Sequence, residues 1–353
     1  MTKHMFAGAS TPVGFVDLFD HIMPVEKAKK RLFLKGSSGS GKSTFMKTTA
    51  AEFESMGIHA EKFHCANDTK SLDAVAFSDI GLCIIDATAP HAHDPEIPMA
   101  IDRIIDFAQF IDENKLLPHL DELKSLQIAK KLSSKNVSHY LRALGNIYSA
   151  ENDVCEAVLS KRAVTELAQK WLDSLDAENL SERPGIERKL FLSAITPDGY
   201  RSFTDDYFKN CKVYGASCEA TAGINLFLTE LKNHAIARGL CVTSFYCPFA
   251  PGQIEHLYFP QTDEAFARVS GRFGYESKVD EVIDVSECAG IDIKHSGKLD
   301  IFDKLLSDSV DLMYTGRTLH NRTEEIYASA MNFASLNRAA KGIIKELLLL
   351  PPL

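Results

Sequence analysis

Short apolar runs alternate with stretches of helical periodicity along this chain. Apolar runs at residues 31–35, 59–65 and 81–86 predict strands of a parallel sheet, and residues 43–55 predict a helix between the first two. The same order returns later, where we predict strands near 189–193, 212–216 and 241–247, followed by helices from about 298 to 350. The pattern is typical of an α/β fold that occurs twice.

The segment from about residue 100 to residue 178 predicts helix almost throughout, with polar breaks near Pro118 and Ser133-Ser134. Within it, apolar residues at i, i+3, i+6 and i+7 predict one buried face of a long helix. These residues are Leu141, Leu144, Ile147 and Tyr148. A helical extension therefore follows the first group of strands.

Matching segments support a duplication. Met5–Phe15 resembles Leu190–Tyr200 at an offset of 185, and Gly57–Cys65 resembles Gly239–Cys247 at an offset of 182. Weaker matches link Asp102–Asp106 to Asp280–Asp284 and Ile147-Tyr148 to Ile326-Tyr327. The period is too long for a solenoid. We predict two domains, residues 1–180 and 186–353, separated by the Pro/Gly break at 181–185.

The most specific motif lies between the first predicted strand and helix. Its residues fit the phosphate-binding pattern G-x-x-x-x-G-K-[ST], and they are Gly36, Ser37, Ser38, Gly39, Ser40, Gly41, Lys42 and Ser43, followed by Thr44. Glycines let backbone amides turn toward phosphates, and the helix N-terminus adds partial positive charge. We expect Lys42 to reach the β- and γ-phosphates and Ser43 to ligate Mg²⁺. The predicted cofactors are ATP and Mg²⁺.

Asp86 ends the third predicted strand, where phosphate-loop proteins hold Mg²⁺ through water. The next residue is Ala87, where many ATPases have a glutamate that polarises water, so the hydrolytic base is unassigned. Beyond it, Thr88 and His91 are our candidates for sensing the γ-phosphate or orienting water. An alternative is that His91, His93 and Asp94 bind a transition metal, but the chain offers no matching second cluster, and we favour a nucleotide-sensing or structural loop.

The second copy lacks the phosphate loop. Ile224 stands where the first copy has Lys42, and Asn225 stands where it has Ser43. We expect this half to bind nucleotide poorly or not at all. It either regulates or completes the first site, or it is kept only for packing.

Composition and net charge indicate which kinds of partner this chain is expected to bind. The net charge of −9 argues against a general nucleic-acid-binding surface, which is normally basic. The first eight residues carry no sustained apolar stretch and Leu347–Leu350 is too short to span a bilayer, so we expect no signal peptide and no membrane partner. Eight scattered cysteines without a C-x-x-C pair predict free thiols and a cytoplasmic location.

The whole pattern resembles a little-characterised family of bacterial tandem P-loop proteins described as ATPases or ATP-binding proteins. The likeness rests on the phosphate loop and on Phe6–Phe15, Phe63–Cys65, Ser71–Asp73, Asp86–His91, Ser193–Tyr200 and Tyr246–Phe249. The resemblance implies two tandem P-loop NTPase-like parallel-sheet domains, each with a helical extension. In that family the second half usually has its own glycine-lysine loop, from which this sequence departs at residues 218–226.

Three functions remain open from the sequence. We favour ATP hydrolysis used as a conformational switch, with the helical segments passing the change to an unknown protein partner. The first alternative is a small-molecule or nucleotide kinase, for which Arg103, Arg142 and Arg162 are candidate lid arginines acting on a small-molecule acceptor. The second alternative is a nucleotide-sensing scaffold without catalysis.

Overall fold

The computed structural model describes residues 2–89, 92–156, 159–175, 183–218, 221–289 and 299–350. The strands of the first half are β1 (Lys3–Met5), β2 (Gly8–Thr11), β3 (Gly14–Asp17), β4 (Lys30–Lys35), β5 (Glu61–His64), β6 (Leu72–Phe77), β7 (Leu82–Asp86) and β8 (Asp102–Asp106). Its helices are α1 (Lys42–Ser55), α2 (Glu113–Leu116), α3 (Leu120–Glu156) and α4 (Lys161–Asp173).

The second half follows the same plan. Its strands are β9 (Glu187–Leu190), β10 (Ser193–Thr196), β11 (Gly199–Ser202), β12 (Lys212–Ser217), β13 (Val242–Cys247), β14 (Ala250–Phe259), β15 (Glu264–Arg268) and β16 (Glu281–Asp284). Its helices are α5 (Thr204–Phe208), α6 (Thr221–Ala237), α7 (Leu299–Ala330) and α8 (Phe333–Leu347).

Each half contributes one six-stranded sheet, and the two sheets have the same topology. The strand order is β1-β5-β6-β7-β4-β8 in the first sheet and β9-β13-β14-β15-β12-β16 in the second. The α/β class is therefore confirmed, and most strand pairs are parallel as expected, but each sheet is mixed. β6 and β14 run antiparallel to both neighbours, because each follows the preceding strand through a short connection that cannot hold a crossover.

The helical prediction for residues 100–178 needs two corrections. Asp102–Asp106 forms the edge strand β8, which pairs in parallel with β4. This pairing is held by the Arg31–Asp102 ion pair, with Nε 2.7 Å from the carboxylate. The predicted break at Ser133-Ser134 is absent, since α3 runs unbroken through both serines. The predicted apolar face of α3 is confirmed, because Leu141, Leu144 and Tyr148 are buried.

Matching local contacts reinforce the duplication. Phe6 and Phe191, which lie 185 residues apart, exchange two backbone hydrogen bonds of 2.9 and 3.0 Å where the two halves meet. In each half the same threonine closes a hairpin, Thr11 donating to the carbonyl of Gly14 and Thr196 to that of Gly199, both at 2.7 Å. The division between residues 180 and 186 stays a prediction.

The last helix of each half packs against the sheet of the other half. α4 places Val164, Ala168 and Leu172 in the core around α6. α8 places Leu336 and Ile344 in the core around α1. The long helices α3 and α7 pack against each other.

Two isolated β-bridges show which residues of the two halves correspond near the exchanged helices. Ile111 pairs with Met331, and Leu159 pairs with Ala289. Met331 is therefore the counterpart of Leu159, at an offset of 172. At this offset Ile147-Tyr148 corresponds to Leu319-His320, which disagrees with the proposed match to Ile326-Tyr327.

Candidate functional site

The phosphate-loop motif folds as a glycine-turned loop between β4 and α1. Gly36, Gly39 and Gly41 have φ values of 147°, 78° and 90°, which side chains rarely tolerate. α1 begins at Lys42, and its N-cap Gly41 has no side chain to satisfy the first amides. At the other end, Gly57 ends the helix with φ of 81°, as its C-cap position predicts. The loop therefore presents helix amides to an anion.

Lys42 lies inside this loop. Its Nζ donates to the carbonyl oxygens of Gly36 and Ser37 at 2.7 and 2.9 Å and lies 3.6 Å from Oδ2 of Asp86. Its side chain is only 8% exposed. Burial lowers the pKa of Lys42, against the opposing effect of Asp86. The cation and the strand-end carboxylate that the sequence singles out are therefore neighbours.

Asp86 reaches this position because β7 lies beside β4, with Leu34 and Asp86 in register. Its carboxylate accepts the backbone N–H of Thr88 at 3.0 Å. The Thr88 hydroxyl donates to the Gly36 carbonyl, also at 3.0 Å, so it links the end of β7 to the loop. Thr88 thereby holds Asp86 and the phosphate loop in position relative to each other.

Ser43 has a structural contact that the sequence did not predict. Its hydroxyl oxygen accepts the N–H of Leu72 at 3.0 Å. In the second half, the amide oxygen of Asn225 accepts the N–H of Ile254 at 2.9 Å. A hydroxyl keeps a further lone pair, so Ser43 can still ligate a metal, and that role stays a prediction.

Asp73 is a site residue that sequence reasoning missed. It is a buried carboxylate within the apolar strand β6, and its charge acts on both Asp86 and Lys42. Burial, reinforced by Asp86, raises the pKa of Asp73 to about 7. The signal was present, since an acidic residue inside the run Leu72–Phe77 has an acidic counterpart, Glu255, in the second half.

The loop residues fit a phosphate group. The hydroxyls of Ser37 and Ser40 are buried and make no hydrogen bond. A Cβ at Gly36 would lie 2.8 Å from the Ser40 hydroxyl, so only glycine keeps this corner open. Ser38 and Thr44 lie on the same loop and the first turn of α1, Ser38 half-buried and Thr44 exposed. Orphaned donors and uncapped amides are the groups that a phosphate would satisfy.

The equivalent place in the second half is filled by protein. Arg268, the counterpart of Asp86, is fully buried and donates to Glu255 at 2.6 Å. It also donates to the carbonyls of Ser270, Arg272 and Phe273. Ile224 is fully buried where the first half has Lys42. An internal ion pair and an apolar side chain thus replace the phosphate-binding groups.

No protein-family model, curated protein or solved structure matches this chain.

The remaining predicted site residue, His91, lies outside the described residues. Its neighbour His93 does not supply a metal cluster: it stacks on Phe19 and lies 3.1 Å from Asp17 and 3.5 Å from Asp20. The hydrogen bond to Asp17 raises the pKa of His93. Within the described residues, no group of three or more His, Cys, Asp or Glu side chains is placed to hold a metal.

A cavity of about 100 Å³ lies beside His93, lined by Phe19, Arg31, Phe33, Ile85 and Glu96 among others. Its charged groups are already paired, since Arg31 binds both Glu96 and Asp102. Phe33 and Ile85 belong to the core between the two sheets. The loop is therefore the better candidate, because its buried Ser37 and Ser40 hydroxyls still lack a hydrogen-bond partner.

Two further predictions concern the whole chain. No helix among the described residues has the length and apolarity needed to cross a membrane. The cysteines that the structure describes are free thiols.

Proposed function

We propose that this chain binds Mg·ATP at the loop of its first half and hydrolyses it as a conformational switch. The observation that carries the proposal is the buried contact between Lys42 and Asp86, formed where a glycine loop meets an uncapped helix. Cation, amides and strand-end carboxylate are the parts that phosphoryl-transfer sites use. The resemblance to tandem P-loop ATPases points the same way.

Each residue has a physical task in this proposal. Lys42 and the loop amides bind the β- and γ-phosphates, while the Ser37 and Ser40 hydroxyls offer further donors. Ser43 and Asp86 would hold Mg²⁺, which neutralises phosphate charge when it is bound. Thr88 keeps Asp86 oriented through its backbone N–H. Ala87 has only a methyl side chain, so the position after Asp86 supplies no base.

The switch part of the proposal rests on the exchanged helices. A Cβ at Gly39 would lie 2.5 Å from the carbonyl oxygen of Glu324 on α7, and one at Gly41 would lie 3.1 Å from Leu336 on α8. Because of these close approaches, any movement of the loop on nucleotide binding would displace α7 and α8 of the second half. Those helices are the route by which we propose that a protein partner senses the nucleotide.

The kinase alternative has weaker support. Arg103 binds Glu346 at 2.9 Å, and Arg162 binds Glu166 at 2.8 Å on α4, which packs against the second half. Both side chains are thus paired with carboxylates, and the third candidate, Arg142, is exposed on α3. The cytoplasmic location and the absence of a nucleic-acid partner remain predictions from composition.

Turnover measurements separate the possibilities. We expect the purified chain to release phosphate from Mg·ATP without an added acceptor, and Lys42→Ala to abolish this release. ADP formation that requires a small-molecule acceptor would instead identify a kinase. Tight ATP binding without turnover would identify a sensing scaffold, and a chain that does not bind ATP would refute the site itself.

A further inference from the structure

The exchanged helices place equivalent residues of α3 and α7 over the two halves. At the offset of 172 fixed by Leu159 and Met331, the counterpart of Tyr148 on α3 is His320 on α7. Contacts with the two hairpins agree with this offset: Gly145 packs on Pro12, while its counterpart Arg317 binds Asp198 at 2.7 Å. Each long helix contacts the hairpin of its own half at equivalent positions, and each also reaches the other half, α3 at Cys247 and α7 at Gly39.

In the second half, Tyr148 packs at the carboxyl end of β13. It is 5% exposed, and its hydroxyl lies 3.6 Å from the sulfur of Cys247. Its ring stacks with Phe249 at a centroid distance of 5.7 Å. Phe249 stacks in turn with Tyr200 and Phe273. An aromatic cluster thus closes the edge of the sheet where a nucleotide would lie.

In the first half the same edge is polar. Asn67 stands in the place of Phe249, and His320 in the place of Tyr148. His320 is half-buried, and the charges of Lys42, Asp68, Glu324 and Lys130 act on it. One turn further along the same face of α7, the Glu324 backbone touches the loop at Gly39. His320 is therefore on the side of α7 that faces the phosphate loop.

We propose that His320 is a phosphate-contacting residue, supplied by the second half, which donates a hydrogen bond to the terminal phosphate of ATP bound at the first-half loop. This assignment rests on the proposed nucleotide site. It gives the degenerate half a definite task, since without α7 the site would lack this donor. It also explains why the position is an imidazole at the open site and a packed phenol at the filled one.

The test compares ATP and ADP affinities of the full chain by calorimetry. A hydrogen bond to a charged group contributes enough that His320→Ala should weaken ATP binding by about tenfold. ADP lacks the terminal phosphate, so its affinity should change by less than about twofold. His320→Gln keeps an N–H donor and should recover most of the lost ATP affinity.

Two further variants sharpen the result. His320→Tyr copies the filled half and should block ATP while the chain stays folded, because a tyrosine is accommodated at the equivalent position. Thr318→Ala, on a different face of the same helix, should leave both affinities unchanged. An unchanged ratio of ATP to ADP affinity in a folded His320→Ala chain would overturn the assignment alone. A wild-type chain that binds neither nucleotide would refute the nucleotide site, and this role with it.

Discussion

At the scale of single residues, the candidate site is a small set of charges kept close together in a half-buried place. The ammonium group of Lys42 contacts two carbonyl oxygens and a carboxylate in place of water. A buried charge is tolerated only with such partners, and these partners are exchangeable for phosphate oxygens. The same few residues can therefore serve the free chain and a bound nucleotide.

Asp86→Asn should impair Mg²⁺-dependent turnover more than nucleotide binding. The loop amides and Lys42 hold the phosphates, whereas the carboxylate is needed for the metal's water shell. We expect turnover at limiting Mg²⁺ to fall by at least tenfold, and ATP affinity measured without Mg²⁺ to change by only a few-fold. If the variant turns over at the wild-type rate at limiting Mg²⁺, Asp86 is only structural.

His256 gives a prediction about pH. Burial, together with Arg268, lowers the pKa of His256 from its ordinary 6.5 to about 3, and its Nδ1 accepts the N–H of Arg268 at 3.2 Å. The unfolded chain therefore takes up this proton first as the pH falls. Stability should drop between pH 6.5 and 3, at about 1.4 kcal/mol per pH unit for one such group.

Urea unfolding at pH 6.5 and pH 4 tests this. His256→Gln keeps an oxygen that can accept the same N–H but does not titrate, so it should lose less stability than the wild type over this interval. An equal loss in both chains would show that other groups cause the acid sensitivity.

The sequence revealed those site residues that are local and left out those that are not. Gly36–Ser43 is continuous, so its spacing alone predicts the turn and helix start that the structure has. Asp73 joins the site only because β6 is inserted between β5 and β7. His320 arrives from a helix almost three hundred residues along the chain. Neither placement follows from a local pattern, because both depend on strand pairing and helix exchange.

At the scale of elements, strands were missed where the apolar pattern was ambiguous. Leu72–Phe77 is buried on both faces and interrupted by Asp73, so it lacks the alternation of a half-exposed strand. Asp102–Asp106 is an edge strand with charges at both ends, and its partner β4 lies about seventy residues earlier. The helical character of α3 and α8 was predicted, but their individual ends were not, since the apolar pattern delimited only the broad ranges 100–178 and 298–350.

The close approach of α7 to the loop leads to a prediction about Gly39. Its φ is 78°, and a Cβ added there would lie 2.5 Å from the Glu324 carbonyl oxygen, so both the backbone and the space exclude a side chain. Gly39→Ala should cost about 1–3 kcal/mol and weaken ATP binding, because the loop and helix must move apart.

Chemical denaturation and calorimetry measure both effects. Gly252→Ala is the matched control, since no atom lies within 4 Å of its Cβ position and its φ is outside the left-handed range. A Gly39→Ala chain as stable as the control, with normal ATP affinity, would contradict the contact between loop and α7.

At the scale of the whole molecule, one fold occurs twice, and the two copies carry different side chains at the equivalent edge of their sheets. The first copy keeps glycines, a lysine and orphaned hydroxyls, while the second has the Arg268–Glu255 pair and packed aromatic rings. Fold alone does not imply function. Here the two copies share a fold but differ in the groups that could bind a ligand. Their shared topology fixes the scaffold, and the side chains at the strand ends decide which copy has room for a ligand.

The most direct test of this account is the number of nucleotides bound by the full chain in an equilibrium titration with ATP. We predict one per chain, and loss of this high-affinity binding in Lys42→Ala, which lacks the main side-chain charge on the phosphates and should bind at least tenfold more weakly. A stoichiometry near two, falling to one in Lys42→Ala, would show that the filled half is a working site. Unchanged binding by a folded Lys42→Ala chain would contradict the central claim.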